Sequence, residues 1–152
     1  LTRRPPLSTL FPYTTLFRSA KMDKTAQAVE RLQEENFRLK GQVGQLVDDM
    51  CRKEAERYAG SGSVLIFMDG MDADSVRKLA DAVTQTCQGC CAVFSGNADG
   101  SYKYAIGEKD GDLRQFTKEM NAKLNGRGGG KPFFVQGSVQ ASEKEIRNFF
   151  EQ

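Results

Sequence analysis

Val64-Leu65-Ile66-Phe67-Met68 is a continuous apolar run that lies between glycine-containing segments. Such a run is typical of a β-strand that is buried on both faces. Asp72 or Asp74 can cap a helix that follows it. The apolar stripe of that helix, at i, i+3, i+4 and i+7, consists of Val76, Leu79, Ala80 and Val83. Residues 91–95 form a second apolar run, and the order strand, helix, strand predicts a parallel crossover.

The pattern continues with a hairpin and a second helix. The turn sequence at 97–100 leads into alternating apolar and polar residues at 102–106, which predicts an antiparallel partner for the second strand. Asp112 is expected to cap the next helix, with Gln115 in the reciprocal N3 position. The buried stripe of this helix is expected to consist of Leu113, Phe116, Met120 and Leu124.

A short strand at 133–136 and a last helix complete the pattern. Ser142 and Glu145 form a capping-box signature at the start of that helix. We therefore expect residues 61–152 to form a small α/β domain with a mixed sheet. About 90 residues are enough for an independent hydrophobic core of modest size.

Residues 20–60, upstream of this domain, predict a long helical arm because they are rich in helix formers and contain no proline. Alternating spacings of three and four residues define a coiled-coil-like seam, which consists of Val29, Leu32, Asn36, Leu39, Val43 and Leu46. Asn36 at an a position favours two paired chains in register, whereas Gly41 and Gly44 each cost about 1 kcal/mol of helix propensity. The seam either forms a homodimer or packs on a neighbouring domain of the same chain.

Residues 1–19 differ from the rest of the chain. They begin without methionine, contain three of the four prolines and repeat the triplet Thr-Leu-Phe. This stretch resembles translated sequencing-adapter DNA, so we expect a non-native or disordered segment and a true N-terminal part that is missing.

Composition excludes several classes of function. The chain has 152 residues, a formal net charge of +2 and no histidine, so it lacks the commonest general base and the commonest zinc ligand. Hydrolysis by the usual serine, cysteine or metal sites is therefore not expected. No apolar run approaches the roughly 20 residues that span a bilayer, so we expect a cytoplasmic protein that does not cross a membrane.

Three cysteines are close together at Cys87, Cys90 and Cys91. The spacing suggests a disulfide or a zinc knuckle, but structural zinc needs four ligands and the sequence offers no second pair or histidine. We expect reduced thiols near a strand and no metal site.

The segment from Asn125 to Pro132 reads Asn-Gly-Arg-Gly-Gly-Gly-Lys-Pro and is the most informative part of the chain. It follows a predicted helix and precedes a predicted strand, which indicates an ordered turn. Glycines there permit positive φ and a nest of backbone N–H groups that binds anions. Arg127 and Lys131 would add contacts to phosphate. The alternative is a helix C-cap and tight turn in which the glycines serve conformation alone.

The expected phosphate-binding set includes this turn and the helix before it. Basic residues outnumber acidic ones between positions 114 and 131, where Glu119 is the single acid. Such a local excess attracts phosphates even though the whole chain is nearly neutral. The predicted RNA- or phosphate-binding residues are Arg127, Gly128, Gly129, Gly130, Lys131, Lys123, Lys118 and Arg114.

Residues 125–132, followed by Val135-Gln136-Gly137-Ser138, resemble the glycine-rich signature of the DHH-associated domain. This domain is found at the C-terminus of alanyl-tRNA synthetases and of alanyl-tRNA editing proteins. The resemblance covers about residues 63–152, and the helical arm is similar to the connector before that domain. In DHH phosphoesterases histidine commonly follows the glycine triplet, but Lys131 stands there, as a basic residue does in the tRNA-directed branch.

The resemblance implies a tRNA(Ala)-binding and dimerising module of an alanyl-tRNA editing protein, which deacylates mischarged Ser- or Gly-tRNA(Ala) in trans. The hydrolytic zinc site would lie in a separate upstream domain, so no catalytic residue or cofactor is expected in this chain. The parent would be an aminoacyl-tRNA hydrolase or an alanine–tRNA ligase. The alternatives are the C-terminal domain of an alanyl-tRNA synthetase and the nucleotide-binding module of a DHH-type phosphoesterase.

Overall fold

The computed structural model describes the backbone of residues 12–96 and 100–151, and the side chains of these ranges from Met22 onward. Its helices and strands are, in chain order, α1 (Pro12–Arg57), β1 (Val64–Asp69), α2 (Ala73–Thr86), β2 (Cys91–Gly96), β3 (Ser101–Gly107), α3 (Leu113–Lys123), β4 (Arg127–Lys131), β5 (Phe134–Gln140) and α4 (Glu143–Phe150). The expected long helix followed by a mixed α/β domain is confirmed.

The five strands form one mixed sheet in the order β1-β2-β3-β5-β4. β1 and β2 are parallel, as the strand-helix-strand pattern predicts, and every other pair is antiparallel. The predicted turn at 97–100 lies largely outside the described residues, but the strands on its two sides pair as a hairpin.

The chain divides into two compact units between Gln45 and Leu46. α1 begins at Pro12 rather than near Ala20, because proline is favoured in the first turn of a helix and no glycine or proline interrupts residues 13–19. Residues 1–11 lie outside the described part, and the non-native origin of residues 1–19 stays a prediction. The second compact unit, which begins at Leu46, includes the last turns of α1.

One hydrophobic core lies between the sheet and the helices α1 and α2. Its buried residues from α1 are Cys51 and Ala55, and α2 contributes the predicted stripe of Val76, Leu79, Ala80 and Val83. From β1, Val64 and Ile66 point into this core. Asp72, not Asp74, caps α2, and its side chain accepts a hydrogen bond from the Ser75 amide at 2.9 Å.

A second core lies on the opposite face of the sheet, under α3 and α4. Leu113, Met120 and Leu124 of the α3 stripe are buried there, as expected, and Phe116 is partly buried. The face of β1 that carries Leu65 and Phe67 is only partly covered, because β1 is an edge strand. The expectation that β1 is fully buried on both faces is therefore wrong for this face.

The two predicted capping boxes have different outcomes. Ser142 and Glu145 form the complete box at the start of α4. Asp112 caps α3 by accepting from the Arg114 amide, but Gln115 donates to Glu119 one turn later instead of returning to the cap. A carboxylate at i+4 is a better partner for the Gln115 amide than the backbone of the cap.

Candidate functional site

The glycine-rich segment at 127–131 is an edge strand, β4, and the predicted ordered turn is wrong. It pairs antiparallel with β5, from Arg127 opposite Ser138 to Lys131 opposite Phe134. Positive φ occurs at Gly60, Gly70 and Gly100, and at Asn125 just before this segment, but at none of its glycines. The expected nest of left-handed glycines is therefore absent from β4, and the strand places alternate residues on opposite faces of the sheet.

Gly128 is required because other atoms approach its backbone closely. It lies opposite Gly137 in β5, and a Cβ atom at Gly128 would collide with the Tyr104 hydroxyl and the Gln136 carbonyl oxygen. Gly129 faces the other way, where a Cβ atom would meet nothing within 4 Å. Glycine in a strand interior commonly marks such a close approach, so the two neighbours have different structural roles.

A hydrogen-bond chain connects β3, α3 and β4 behind these glycines. The Tyr104 hydroxyl donates to Asn121 Oδ1 at 3.1 Å, and Asn121 Nδ2 donates to the Gly128 carbonyl oxygen at 3.2 Å. Burial of the Tyr104 ring raises the pKa of its hydroxyl, so the hydroxyl remains a donor at neutral pH. This chain fixes the position of the β4 backbone from the face opposite to Gly129.

The exposed face of β4 borders a groove of about 380 Å³. The groove is lined by Arg77, Lys78 and Asp81 of α2, by Gly129, Gly130 and Lys131 of β4, and by Phe133, Phe134 and Gln136. An adjoining hollow of about 660 Å³ shares Arg77 and Gln136. Because Gly129 and Lys131 face this groove, strand alternation places Arg127 on the same face. An open groove with charged and aromatic lining residues thus lies between α2 and the glycine-rich strand β4.

The β4 side of the groove carries the less compensated charges. On α2, Lys78 pairs with Asp48 at 3.1 Å and Arg77 with Asp74 at 3.7 Å. The hydrogen bond from Lys78 to Asp48 raises the pKa of the lysine. Within residues 12–96 and 100–151, neither Arg127 nor Lys131 forms an ion pair with a carboxylate. These two side chains are therefore available to a ligand that carries negative charge.

The basic residues predicted on α3 do not join this groove. α3 covers the opposite face of the sheet, so Arg114, Lys118 and Lys123 do not extend a single strip from Arg127 and Lys131. Because these basic residues are close in sequence, the sequence predicts one continuous basic strip. After α3, however, the chain continues into the edge strand β4, so the basic residues of α3 and those of β4 lie on different faces of the sheet.

Two of these α3 residues have partners within the domain. Arg114 binds both carboxylate oxygens of Asp112, at distances of 2.6–3.1 Å, and this pairing lowers the pKa of Asp112 to about 2. Lys123 lies over the Phe149 ring at 5.3 Å. Sequence reasoning instead missed Arg77 and Lys78, whose only signal is that they are exposed on a helix whose other face is apolar.

Residues 61–152 match the family model described as the DHHA1 domain. The chain belongs to the DHHA1 domain family. The C-Ala domain of alanyl-tRNA synthetase from Aquifex aeolicus has a similar fold, with a TM-score of 0.52 and 19% identity over 61% of this chain and 92% of that domain. The chain is thus a C-terminal domain of the kind found in alanyl-tRNA synthetase-like proteins.

Curated relatives of the chain are much longer proteins. An alanine–tRNA ligase from Acholeplasma laidlawii is 30% identical over 52% of this chain and 9% of its own length. A second, from a Psychrobacter species, is 23% identical over 82% of this chain and 15% of its own length. The chain therefore spans less than a sixth of the length of either relative.

The predicted seam of the arm is exposed. Val29 and Leu39 are each 47% exposed and Leu32 is 65% exposed. Val43 and Leu46 are also exposed. In the described part of the chain, no helix is long and apolar enough to span a membrane. Pairing of the seam with a second copy stays a prediction.

The cysteines of the DHHA1 domain are free thiols. Burial raises the pKa of Cys90 and of Cys91 to about 12, so both are protonated at neutral pH. Over residues 12–96 and 100–151, no cluster of three His, Cys, Asp or Glu residues could hold a metal ion. Cys90 and Cys91 therefore offer no reactive thiolate at neutral pH.

Proposed function

We propose that the DHHA1 domain is an RNA-binding module that binds tRNA(Ala) through the groove between α2 and β4. The observation that carries this proposal is the pair Arg127 and Lys131 on one exposed strand face, next to backbone that no side chain shields. On the exposed face of β4, Gly129 lies between these two cations, and this arrangement suits phosphates of one nucleic-acid backbone, because charge-assisted hydrogen bonds are stronger than neutral ones. The names of the curated relatives support tRNA as the nucleic acid.

The groove explains the glycines in functional terms as well. Gly129 faces the groove without a steric requirement for glycine, since a Cβ atom there would meet nothing. A missing side chain at such a position lets a ligand reach the backbone amides of an edge strand. Phosphate oxygens are the natural acceptors for these amides, so the strand would bind phosphate by its backbone and by its two terminal cations.

The test is the double variant Arg127→Ala/Lys131→Ala in the full chain. We expect unchanged folding, because all five β4 residues are exposed, and a loss of tRNA(Ala) affinity of about 1–3 kcal/mol for each contact removed. The slope of log affinity against log salt should decrease by roughly one to two units. Fluorescence anisotropy with labelled tRNA(Ala) transcript, at several salt concentrations, measures both quantities.

The matched control removes the same charge from α3, as Arg114→Ala/Lys118→Ala. Because α3 lies on the other face of the sheet, this variant should bind tRNA within a few-fold of the parent. Equal losses in both double variants would place the RNA elsewhere, and unchanged affinity and salt slope in the β4 variant would remove the groove as the binding site.

We propose that the longer protein to which this domain belongs is an alanyl-tRNA editing protein. In it, an upstream zinc domain would deacylate Ser- or Gly-tRNA(Ala), and this domain would bind the tRNA. The second candidate is an alanyl-tRNA synthetase, which the names of the curated relatives favour. The upstream reading frame distinguishes them, because a ligase needs an aminoacylation domain that a protein limited to editing does not need. The isolated chain should not deacylate mischarged tRNA(Ala), and chelator-sensitive turnover by it would contradict this.

We also propose that the arm forms a homodimer through the seam around Asn36. Exposed apolar side chains at a and d positions are stabilised when a second helix covers them. Leu39→Asp should shift the chain toward monomer in sedimentation experiments at tens of micromolar, whereas the parent should show a concentration-dependent dimer. Identical monomers for both would show that the seam does not pair.

A further inference from the structure

Phe133 stands out among the aromatic residues of the domain. It lies in the short turn between β4 and β5 and is 50% exposed. Every other aromatic side chain described from Leu46 to Glu151 is buried or partly buried. A single exposed apolar residue is common on protein surfaces, so the surroundings of this ring decide whether it can bind a ligand.

The backbone that carries the Phe133 ring is anchored at both residues of the turn. The carbonyl oxygen of Phe133 accepts from the Glu108 amide at 3.0 Å, and that of Pro132 accepts from the Leu113 amide at 2.7 Å. Pro132 also restricts its own φ angle. A ring on such a fixed backbone binds a ligand at a smaller entropic cost than a ring on a mobile loop.

One cation lies over this ring. Lys131 Nζ lies 5.6 Å from the ring centroid, within the range of a cation–π contact. The same groove also contains Arg77, Lys78 and the exposed backbone of Gly129. A flat apolar surface next to positive charge matches the two parts of a nucleotide, which are the base and the phosphate.

We propose that Phe133 is a stacking platform for one unpaired base of the bound RNA, with Lys131 and Arg77 beside the flanking phosphates. This inference rests on the proposed RNA-binding function and specifies the class of RNA structure that the groove takes. In a duplex the faces of the bases are stacked on each other, whereas in a loop a base can turn out and stack on an aromatic ring. The groove volume of about 380 Å³ is suitable for a single nucleotide.

The chain contains no tryptophan, so Phe133→Trp creates a single fluorescent reporter at the platform. A base that stacks on the indole should quench its emission. We expect quenching when tRNA(Ala) transcript or a single-stranded RNA decamer is added, and none with the fully paired duplex of that decamer. Phe37→Trp is the matched control, because Phe37 is 83% exposed on α1 and lies far from the groove in sequence. Its emission should stay unchanged.

Affinity measurements complete the test. Phe133→Ala should weaken binding of tRNA(Ala) by about 5- to 100-fold, as expected for the loss of one base–aromatic stack, while Phe133→Trp should retain the parental affinity. Circular dichroism should show parental folding for both, because the ring belongs to neither hydrophobic core.

The outcomes separate this inference from the proposed function. If the parent chain does not bind tRNA at all, the proposed function fails and the platform fails with it. If the parent binds tRNA, but Phe133→Ala binds equally well and Phe133→Trp is not quenched, RNA binding stands and the platform is wrong. Equal quenching by duplex and single strand, or quenching of Phe37→Trp as well, would also overturn it.

Discussion

The two edges of the sheet are built from opposite kinds of residues. β1 reads Val-Leu-Ile-Phe-Met-Asp and sends side chains into both hydrophobic cores. β4, at the other edge, reads Arg-Gly-Gly-Gly-Lys, and all five of its residues are exposed. The comparison indicates that one edge supplies stability and the other leaves backbone and charge free for a ligand. Substitutions at β1 should therefore change the free energy of unfolding, whereas most substitutions at β4 should change binding.

The largest stability effect is expected from Ile66→Ala in β1. Ile66 is 5% exposed, and its truncation should lower the free energy of unfolding by about 2–5 kcal/mol through lost burial and a residual cavity. Urea denaturation followed by circular dichroism measures this loss. Lys131→Ala at the opposite edge is the control and should stay within about 0.5 kcal/mol of the parent. A loss below 1 kcal/mol for Ile66→Ala would contradict the assignment of stability to β1.

A smaller effect on stability should distinguish two neighbouring glycines of β4. Gly128→Ala should destabilise the domain by about 1–3 kcal/mol, because the new methyl group meets the Tyr104 hydroxyl and the Gln136 carbonyl oxygen. Gly129→Ala should leave stability within about 0.5 kcal/mol, since that position is open. Thermal unfolding of the two variants compares neighbours of identical chemistry. Equal midpoints would show that the approach of Tyr104 does not require glycine at position 128.

The smallest predicted effect is a pH dependence of the free energy of unfolding that comes from Cys91. This residue lies in β2, opposite Val64 of β1. Burial raises the pKa of Cys91 from 9.0 to about 12. Below pH 9 the folded and unfolded chains both keep the proton, but above it the unfolded chain releases the proton first, so stability falls as pH rises toward 12. The expected loss between pH 7 and 9.5 is roughly 1 kcal/mol. Urea midpoints under reducing conditions should show a shallower pH slope in Cys91→Ala, and an identical slope would contradict the assignment.

Much of the domain could be predicted from the sequence because its buried residues repeat with the period of each element. α2 and β2 follow their apolar patterns, and the turn at the start of α4 follows its capping box. β4 could not be predicted in this way, since glycines carry no apolar or polar alternation. Its strand conformation comes from pairing with β5 and from the close approach of Tyr104, which are tertiary contacts.

Only part of the candidate site could be predicted from the sequence, again because tertiary contacts bring its residues together. Arg127, Lys131 and the glycines could be identified because they are consecutive and chemically distinctive. Arg77 and Lys78 reach the groove from a helix about fifty residues earlier, so no local pattern connects them with β4. Conversely, Arg114 and Lys118 are near β4 in sequence, but they lie on a helix that covers the other face.

The last turns of α1 have a consequence for where the domain can be cut. Cys51 and Ala55 are 5% and 7% exposed, and they complete the hydrophobic core beside Val64 although they precede the family match at residue 61. A polypeptide that begins at Ser61 would lack Cys51 and Ala55, so part of that core and of β1 would be exposed to water. We therefore expect a domain that begins at Leu46 to be more stable than one that begins at Ser61, because the longer domain keeps Cys51 and Ala55 in the core.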